Sequence, residues 1–340
     1  MSSLRQRRVA LVCMTPATDG DELADMELPS YGVRRVLAAL MADPELAGAP
    51  VGLIDVGRPD VDAYVEAIVG FAPDLVGFSI YVWSAPCLVA VARRIRQRLP
   101  GCVLVFGGPS ARPALFDLPP YRNPHTYLDA LVAAEGELTF ARIARLPRLD
   151  RAALERVGGL HLPAPGGWNH TGAADPVADL DQLASPFQVG LMPPGGVAYL
   201  ETYRGCPLSC RFCEWGTAGN AGTVFSADYL ERELQAYARH DVSAVFLVDA
   251  GLTLNARAFR NLREAEARVG LLARSQLWCE VYPSRIRDEH LELLATVDTS
   301  YLGIGLQSLD PRVLKAHDRP FDQRRFEAVV RDLADRKSTR

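Results

Sequence analysis

The chain has 340 residues, 49% hydrophobic and 23% charged, with a formal net charge of −4 and a pI near 5.9. This composition excludes a disordered chain and gives no basic stripe for nucleic acid as the main partner, and the length suits two domains. No apolar run approaches a membrane span, and an odd count of seven cysteines (13, 87, 102, 206, 210, 213 and 279) is not a secreted disulfide framework.

The apolar run 9–14 is too short for a signal peptide and predicts a buried strand, so the chain is expected in the cytoplasm, where thiols stay reduced. Residues 30–41 predict a helix with apolar positions at Val33, Val36, Leu37 and Leu40. A strand at 51–55, a helix at 61–71 and a strand at 75–80 follow, then a helix at 85–99 closed by Pro100-Gly101. Arg93, Arg94, Arg96 and Arg98 on that helix read as a solvated face, and Cys13 and Cys102 as small core residues. A strand at 103–106 runs into Gly107-Gly108-Pro109; residues 127–132 fit a short strand or turn, and 137–145 a helix. Near-continuous apolar strands between helices predict an α/β fold, a doubly wound parallel sheet over residues 1–145 with ligands at the carboxyl ends of its strands.

Residues 146–196 are rich in Pro, Gly and Asp and read as a linker, with room for a small hairpin around 159–162 and 168–171. The rhythm then resumes, with strands at 197–202, 244–248, 277–281 and 301–306 and helices at 226–239, 256–269, 288–295 and 322–333. Ser226, with Asp228 and Glu231 after it, suits a helix start. At roughly 30 residues per barrel unit, residues 197–340 supply about four and a half βα units of a TIM-type barrel.

After the strand at 197–202, Cys206, Cys210 and Cys213 form C-x3-C-x2-C, with Phe212 just before the last. Soft thiolates favour iron–sulfur, zinc or copper(I), and a three-ligand set leaves one metal position open for chemistry. A structural zinc site needs a fourth ligand; no Cys or His stands between Cys213 and His240, and Cys279 is the next cysteine.

The spacing, the aromatic and the preceding strand resemble the radical S-adenosylmethionine superfamily. The resemblance implies a 4Fe-4S cluster on the three cysteines, whose open iron binds the amino and carboxylate groups of S-adenosylmethionine. The N-terminal region resembles the cobalamin-binding domain of one branch of that superfamily. The carrying segments are Pro29-Ser-Tyr-Gly-Val-Arg-Arg-Val-Leu-Ala38, Leu75-Val-Gly-Phe-Ser-Ile80, Phe106-Gly-Gly-Pro-Ser110 and Glu135-Gly-Glu-Leu-Thr-Phe140. The chain departs from that domain in one respect: the loop at 15–22 has no histidine to ligate cobalt, and His125 reads as a loop residue. The resemblance implies that Ser79, Gly107, Gly108 and Pro109 cradle the corrin, with Tyr81 and Trp83 as candidates to cover the lower face of cobalt. In the barrel it implies Gln307 and Ser308 as holders of S-adenosylmethionine, beside Phe212, and Arg319 as a carboxylate clamp. Asp249 and Glu280, at carboxyl ends of strands, are candidates for polar groups of cofactor or substrate.

Barrels of this superfamily have six strands, so the chain reads as a truncated or split member, or as one that a C-terminal partner chain completes. The expected function is methyl transfer through methylcobalamin to an unactivated carbon or phosphorus centre of a small molecule or peptide. The alternatives are cyclisation or rearrangement with the same cofactors, or a catalytically incomplete cobalamin-binding subunit. The resemblance also implies an electron donor such as a flavodoxin or ferredoxin.

Overall fold

The computed structural model describes residues 7–15, 29–133, 135–213, 215, 222–319 and 321–337, with the side chains of 334, 336 and 337 left out. The chain divides into two compact units, residues 1–176 with 183–192, and residues 177–182 with 193–340.

The first unit holds strands β1 (Val9–Cys13), β2 (Val51–Asp55), β3 (Leu75–Ser79), β4 (Val103–Gly107), β5 (Ala130–Val132), β6 (Leu160–Ala164) and β7 (Gly167–His170). Its helices are α1 (Tyr31–Ala42), α2 (Val61–Phe71), α3 (Ala85–Arg98), α4 (Pro113–Phe116), α5 (Gly136–Arg145) and α6 (Arg151–Leu154). The sheet order is β2-β1-β3-β4-β5-β6-β7, parallel through β5. Successive residues of a strand point to opposite faces, so the buried strands feed two cores. Val9, Leu11 and Cys13 join Leu37, Phe140 and Ile143 on the side of α1 and α5. Ala10 and Val12 join Val65, Ile68, Leu88 and Ile95 on the side of α2 and α3. Arg94 pairs with Asp62, Arg96 with Asp129 and Arg98 with Glu66, so three of the four arginines of the basic cluster serve ion pairs.

Residues 146–176, read from composition as linker, form part of this unit. β6 runs antiparallel to β5 and β7 antiparallel to β6, joined by Pro165 and Gly166 (φ +84°) at the two turn positions. Leu160 and Leu162 are buried in the core on the α1 and α5 side. Proline and glycine here are turn residues of a hairpin, a distinction composition alone does not make.

The second unit holds β8 (Val197–Leu200), β9 (Ala244–Leu247), β10 (Gln276–Val281) and β11 (Thr299–Ile304), with α7 (Ala227–Arg239), α8 (Ala256–Val269), α9 (Asp288–Thr296), α10 (Pro311–Ala316) and α11 (Gln323–Lys337). The four strands are parallel in sequential order β8-β9-β10-β11, the pattern of successive barrel units. β11 starts and ends two residues earlier than the apolar run 301–306 predicts. Leu200, Leu247, Leu277 and Cys279 are buried. The alternate residues Tyr199, Phe246, Trp278 and Tyr301 fall in one register row on the opposite face, with Tyr301 51% exposed. No helix among the described residues is long and apolar enough to cross a membrane.

Gly77, mid-strand in β3, illustrates how tightly the first core closes: a Cβ there would stand 2.7 Å from the ring of Phe140 and 2.9 Å from Leu11. Gly77→Ala should cost about 1–3 kcal/mol, the range for overpacking a filled core. Chemical denaturation measures this, and adding Phe140→Leu should recover part of the loss, as expected of side chains in contact.

Candidate functional site

The cysteine loop starts where β8 ends. Thr202 donates its backbone N–H to Asp249 Oδ1 at 2.8 Å and its hydroxyl to Oδ2, and the Tyr203 N–H donates to Oδ1 at 3.3 Å. The Tyr203 hydroxyl donates to the Gly251 carbonyl at 2.9 Å. The chain leaving β8 is therefore tied to the chain leaving β9 before the first cysteine is reached. Asp249 is 4% exposed, and burial pushes its carboxyl up to about 7 against the pull of the Thr202 and Tyr203 donors. Both carboxylate oxygens of Asp249, read from sequence as a candidate for polar groups of cofactor or substrate, accept from the loop.

Beyond that anchor, Cys210 is buried and Cys206 and Cys213 are half-buried; none of the seven cysteines is in a disulfide. The Cys213 N–H donates to the Cys210 carbonyl at 3.0 Å, a turn that brings the second and third cysteines round together. Burial pushes the Cys206 thiol up; the Leu208 N–H pulls it down, Cys213 and Cys210 add to the rise, and Arg319 opposes it. The three sulfurs and the guanidinium thus share one electrostatic neighbourhood. Among the described residues no three His, Cys, Asp or Glu side chains are gathered closely enough for one metal ion. A cubane asks for a looser set, one thiolate on each of three irons, and three unbridged thiols on one loop fit it chemically.

The segment after α10 backs the loop. The Arg211 N–H donates to the His317 carbonyl at 3.0 Å, Arg211 pairs with Asp318 at 2.7 Å, and the Phe212 ring meets His317 edge-on at 5.8 Å. Arg319 lies over the Tyr282 ring at 4.3 Å and points Nη1 at Cys210 Sγ, 3.6 Å away. Its buried Nε has no hydrogen-bond partner among the described residues. Arg319, read from sequence as a carboxylate clamp, is placed against a thiol.

The other barrel candidates differ in disposition. Glu280, exposed near the end of β10, lies over Gly303, where a Cβ would stand 2.3 Å from its carboxylate. Gln307 is exposed and holds φ +63°, a left-handed conformation costly for a residue with a Cβ. Ser308 Oγ accepts the N–H of Asp310 at 3.0 Å, and Asp310 in turn caps α10 by accepting the Arg312 N–H at 2.8 Å. Cys279 is buried and pushed up to about 12 by burial, with Glu280 and Asp249 adding to the rise, so it is a core residue of β10.

In the first unit, Ser79 and Gly107 are register partners at the carboxyl ends of β3 and β4, and the Ile80 N–H donates to the Gly107 carbonyl at 2.8 Å. Gly108 holds φ +95°, and a Cβ there would meet the Ile80 carbonyl at 2.9 Å. Its smallness serves strand-to-strand closure, whereas a Cβ on Gly107 meets only Val132, at 3.9 Å. Pro109 is exposed, and Tyr81 stacks on the half-exposed Trp83 with centroids 4.4 Å apart. Most of the loop at 15–22 lies outside the described residues, but its first residue is anchored: Thr15 donates its N–H to Asp55 Oδ1 at 3.2 Å and its hydroxyl to Oδ2. Sequence reasoning missed this role of Asp55 and that of Thr202; an aspartate at or just past the end of the second strand of each unit was the available signal. Arg35 and Glu137, both within the resembling segments, form a buried ion pair at 3.5 Å between α1 and α5.

Residues 200–339 match the Radical SAM superfamily, and residues 24–144 match the B12 binding domain family. The chain is 32% identical over 287 residues to 2-(S-pantetheinyl)-carbapenam-3-carboxylate methyltransferase of Streptantibioticus cattleyicolor, covering 76% of this chain and 40% of that protein. It is 30% identical over 290 residues to the cobalamin-dependent radical SAM methyltransferase TokK of Streptomyces tokunonensis, covering 79% and 40%. The chain thus spans less than half the length of these curated relatives. Among solved structures, the radical S-adenosylmethionine methyltransferase TsrM from Kitasatospora setae, with tryptophan and aza-SAM bound, superposes with a TM-score of 0.68 over 97% of this chain and 66% of that one, at 19% identity. That likeness is one of fold.

The Asp249 anchor carries a pH signature. A carboxyl raised from its ordinary 3.8 to about 7 in the folded chain adds stability below 3.8, and that contribution is lost as pH rises through 7. Asp249→Asn should flatten the decline between pH 4 and 7 in denaturation midpoints. Asp249→Ala, which orphans the buried Thr202 and Tyr203 N–H groups, should cost about 1–3 kcal/mol.

Proposed function

This chain belongs to the cobalamin-dependent branch of the radical SAM superfamily, and on that premise we propose that it is the cobalamin- and cluster-binding portion of a methyltransferase acting on a small molecule. The observation that carries the reading is the loop after β8, where three unbridged thiols stand behind a buried anchor with a cation at Cys210 Sγ.

Cys206, Cys210 and Cys213 would hold a 4Fe-4S cluster, and Asp249 holds the loop that presents them. Phe212, Glu280, Gln307 and Ser308 are the residues proposed for S-adenosylmethionine. In the first unit Ser79, Tyr81, Gly107, Gly108 and Pro109 are proposed for cobalamin, with Trp83 stacked on Tyr81 as an apolar cover for its lower face. Together these cofactors supply methyl transfer to a carbon or phosphorus centre that lacks a good nucleophile; the protein supplies placement. The strained backbone of Gln307 supports a positioning role for the turn after β11, since such strain persists only where the surroundings impose it. A flavodoxin or ferredoxin as electron donor and a reducing, cytoplasmic compartment, which suits an iron–sulfur centre, complete the reading.

Anaerobic reconstitution should load about four irons per chain. Replacing Cys206, Cys210 and Cys213 together by Ala should abolish uptake, while Cys279→Ala should retain it; iron held by the triple variant would remove the loop as ligand set. For cobalamin, Gly107→Val is the informative change, because a Cβ there meets only Val132, at an ordinary contact distance of 3.9 Å. It should melt like wild type yet lose hydroxocobalamin binding, whereas Gly108→Val should lower stability as well. Unchanged binding by the Gly107 variant would move the corrin away from β4.

A further inference from the structure

Among the described residues, Arg319 is the one cation placed directly on a cysteine sulfur of the loop. It approaches from the segment after α10, 109 residues from Cys210 in sequence. Its guanidinium is held in place on three sides. The Tyr282 ring lies under it at 4.3 Å, the Gly305 carbonyl accepts from Nη2 at 3.4 Å, and Nη1 reaches Cys210 Sγ at 3.6 Å. Cys210 is the buried member of the three. Its sulfur is thus the one most removed from water, where a nearby charge is screened least. The backbone on both sides is fixed as well: His317 and Asp318 each hold Arg211, the residue next to Cys210. The contact is therefore a built feature of the second unit, made by a side chain with little freedom to leave.

Resting on the cluster reading above, we propose that Arg319 is a positioning residue that sets the reduction potential of the iron–sulfur centre through Cys210. A guanidinium always carries its proton, so the contact supplies one permanent positive charge and one N–H donor to a ligand sulfur. A reduced cluster carries one more electron than the oxidised one. A fixed cation beside a buried ligand sulfur favours the reduced form by Coulomb attraction, and N–H donation to the sulfur acts in the same direction. Both effects raise the midpoint, bringing the centre within easier reach of a biological donor. This gives the guanidinium a role at the sulfur of Cys210 in addition to the carboxylate role that the sequence suggests.

The test is an EPR-monitored redox titration of the anaerobically reconstituted chain without S-adenosylmethionine, so that any contact with that molecule's carboxylate cannot contribute. Wild type, Arg319→Gln and Arg319→Lys are compared, with iron counted in each. Arg319→Gln should keep the iron content of wild type and titrate at a more negative midpoint. Arg319→Lys, which restores the charge, should return most of the shift. An Arg319→Gln midpoint equal to that of wild type at full iron overturns the proposal. So does loss of iron in both variants, since it assigns Arg319 to holding the loop together. Should Arg319→Gln alone lose iron, Arg319→Lys with full iron and a wild-type midpoint supports the role of charge, and a displaced midpoint overturns it. A wild-type chain that takes up no iron sinks the cluster reading itself, and the inference with it.

Discussion

A loop that presents three thiols must leave its strand at a fixed place and angle, and in this chain one buried carboxylate does that. Asp249 receives two backbone N–H groups and one hydroxyl from Thr202 and Tyr203, two of the five residues between β8 and the first cysteine. A carboxylate in that position is costly to bury, and its ionisation is accordingly pushed toward neutrality. The cost is offset by satisfying donors that would otherwise stand orphaned in the interior. Everything that follows in the loop, including the Cys210–Cys213 turn and the packing of Phe212 on His317, starts from that point.

The first unit solves the same problem by the same means. Asp55, closing β2, binds the N–H and hydroxyl of Thr15 just past the end of β1. In both units the first loop is tied by a threonine to an aspartate at or just past the end of the neighbouring strand. In parallel sheets this is the end where ligand-bearing loops gather, and where backbone leaving a strand loses its ladder partners. An aspartate next door replaces two of them at once. The glycines divide by position into different duties: Gly77 clears space for Phe140, Gly108 lets the loop after β4 close on Ile80, and Gly107 would bring a Cβ only to ordinary contact with Val132. Only the last would take a Cβ without a close clash.

Much of this protein was legible in its residues. β1, β3 and β4 are continuous apolar runs because both of their faces are buried, so they stand out without tertiary information. The cysteine motif is legible for a related reason: its spacing lies within one short loop, and thiolate chemistry does not depend on what the rest of the chain does. The resemblance of both halves to known domains rests on such local runs. The hairpin of β6 and β7 was legible only as one use of a segment that also reads as linker, because proline and glycine mark a linker and a tight turn equally well.

What only the tertiary structure decided are the pairings between residues far apart in sequence. Nothing local to Asp249 reveals that it ties down Thr202, and nothing local to Arg319 reveals that it reaches the sulfur of Cys210. Dihedral preference, hydrophobic period and ligand type are properties of a residue and its near neighbours, and these the sequence by itself determined. Which donor meets which acceptor depends on how the strands lie side by side. That is settled by burial summed over whole cores, which no short window of residues contains.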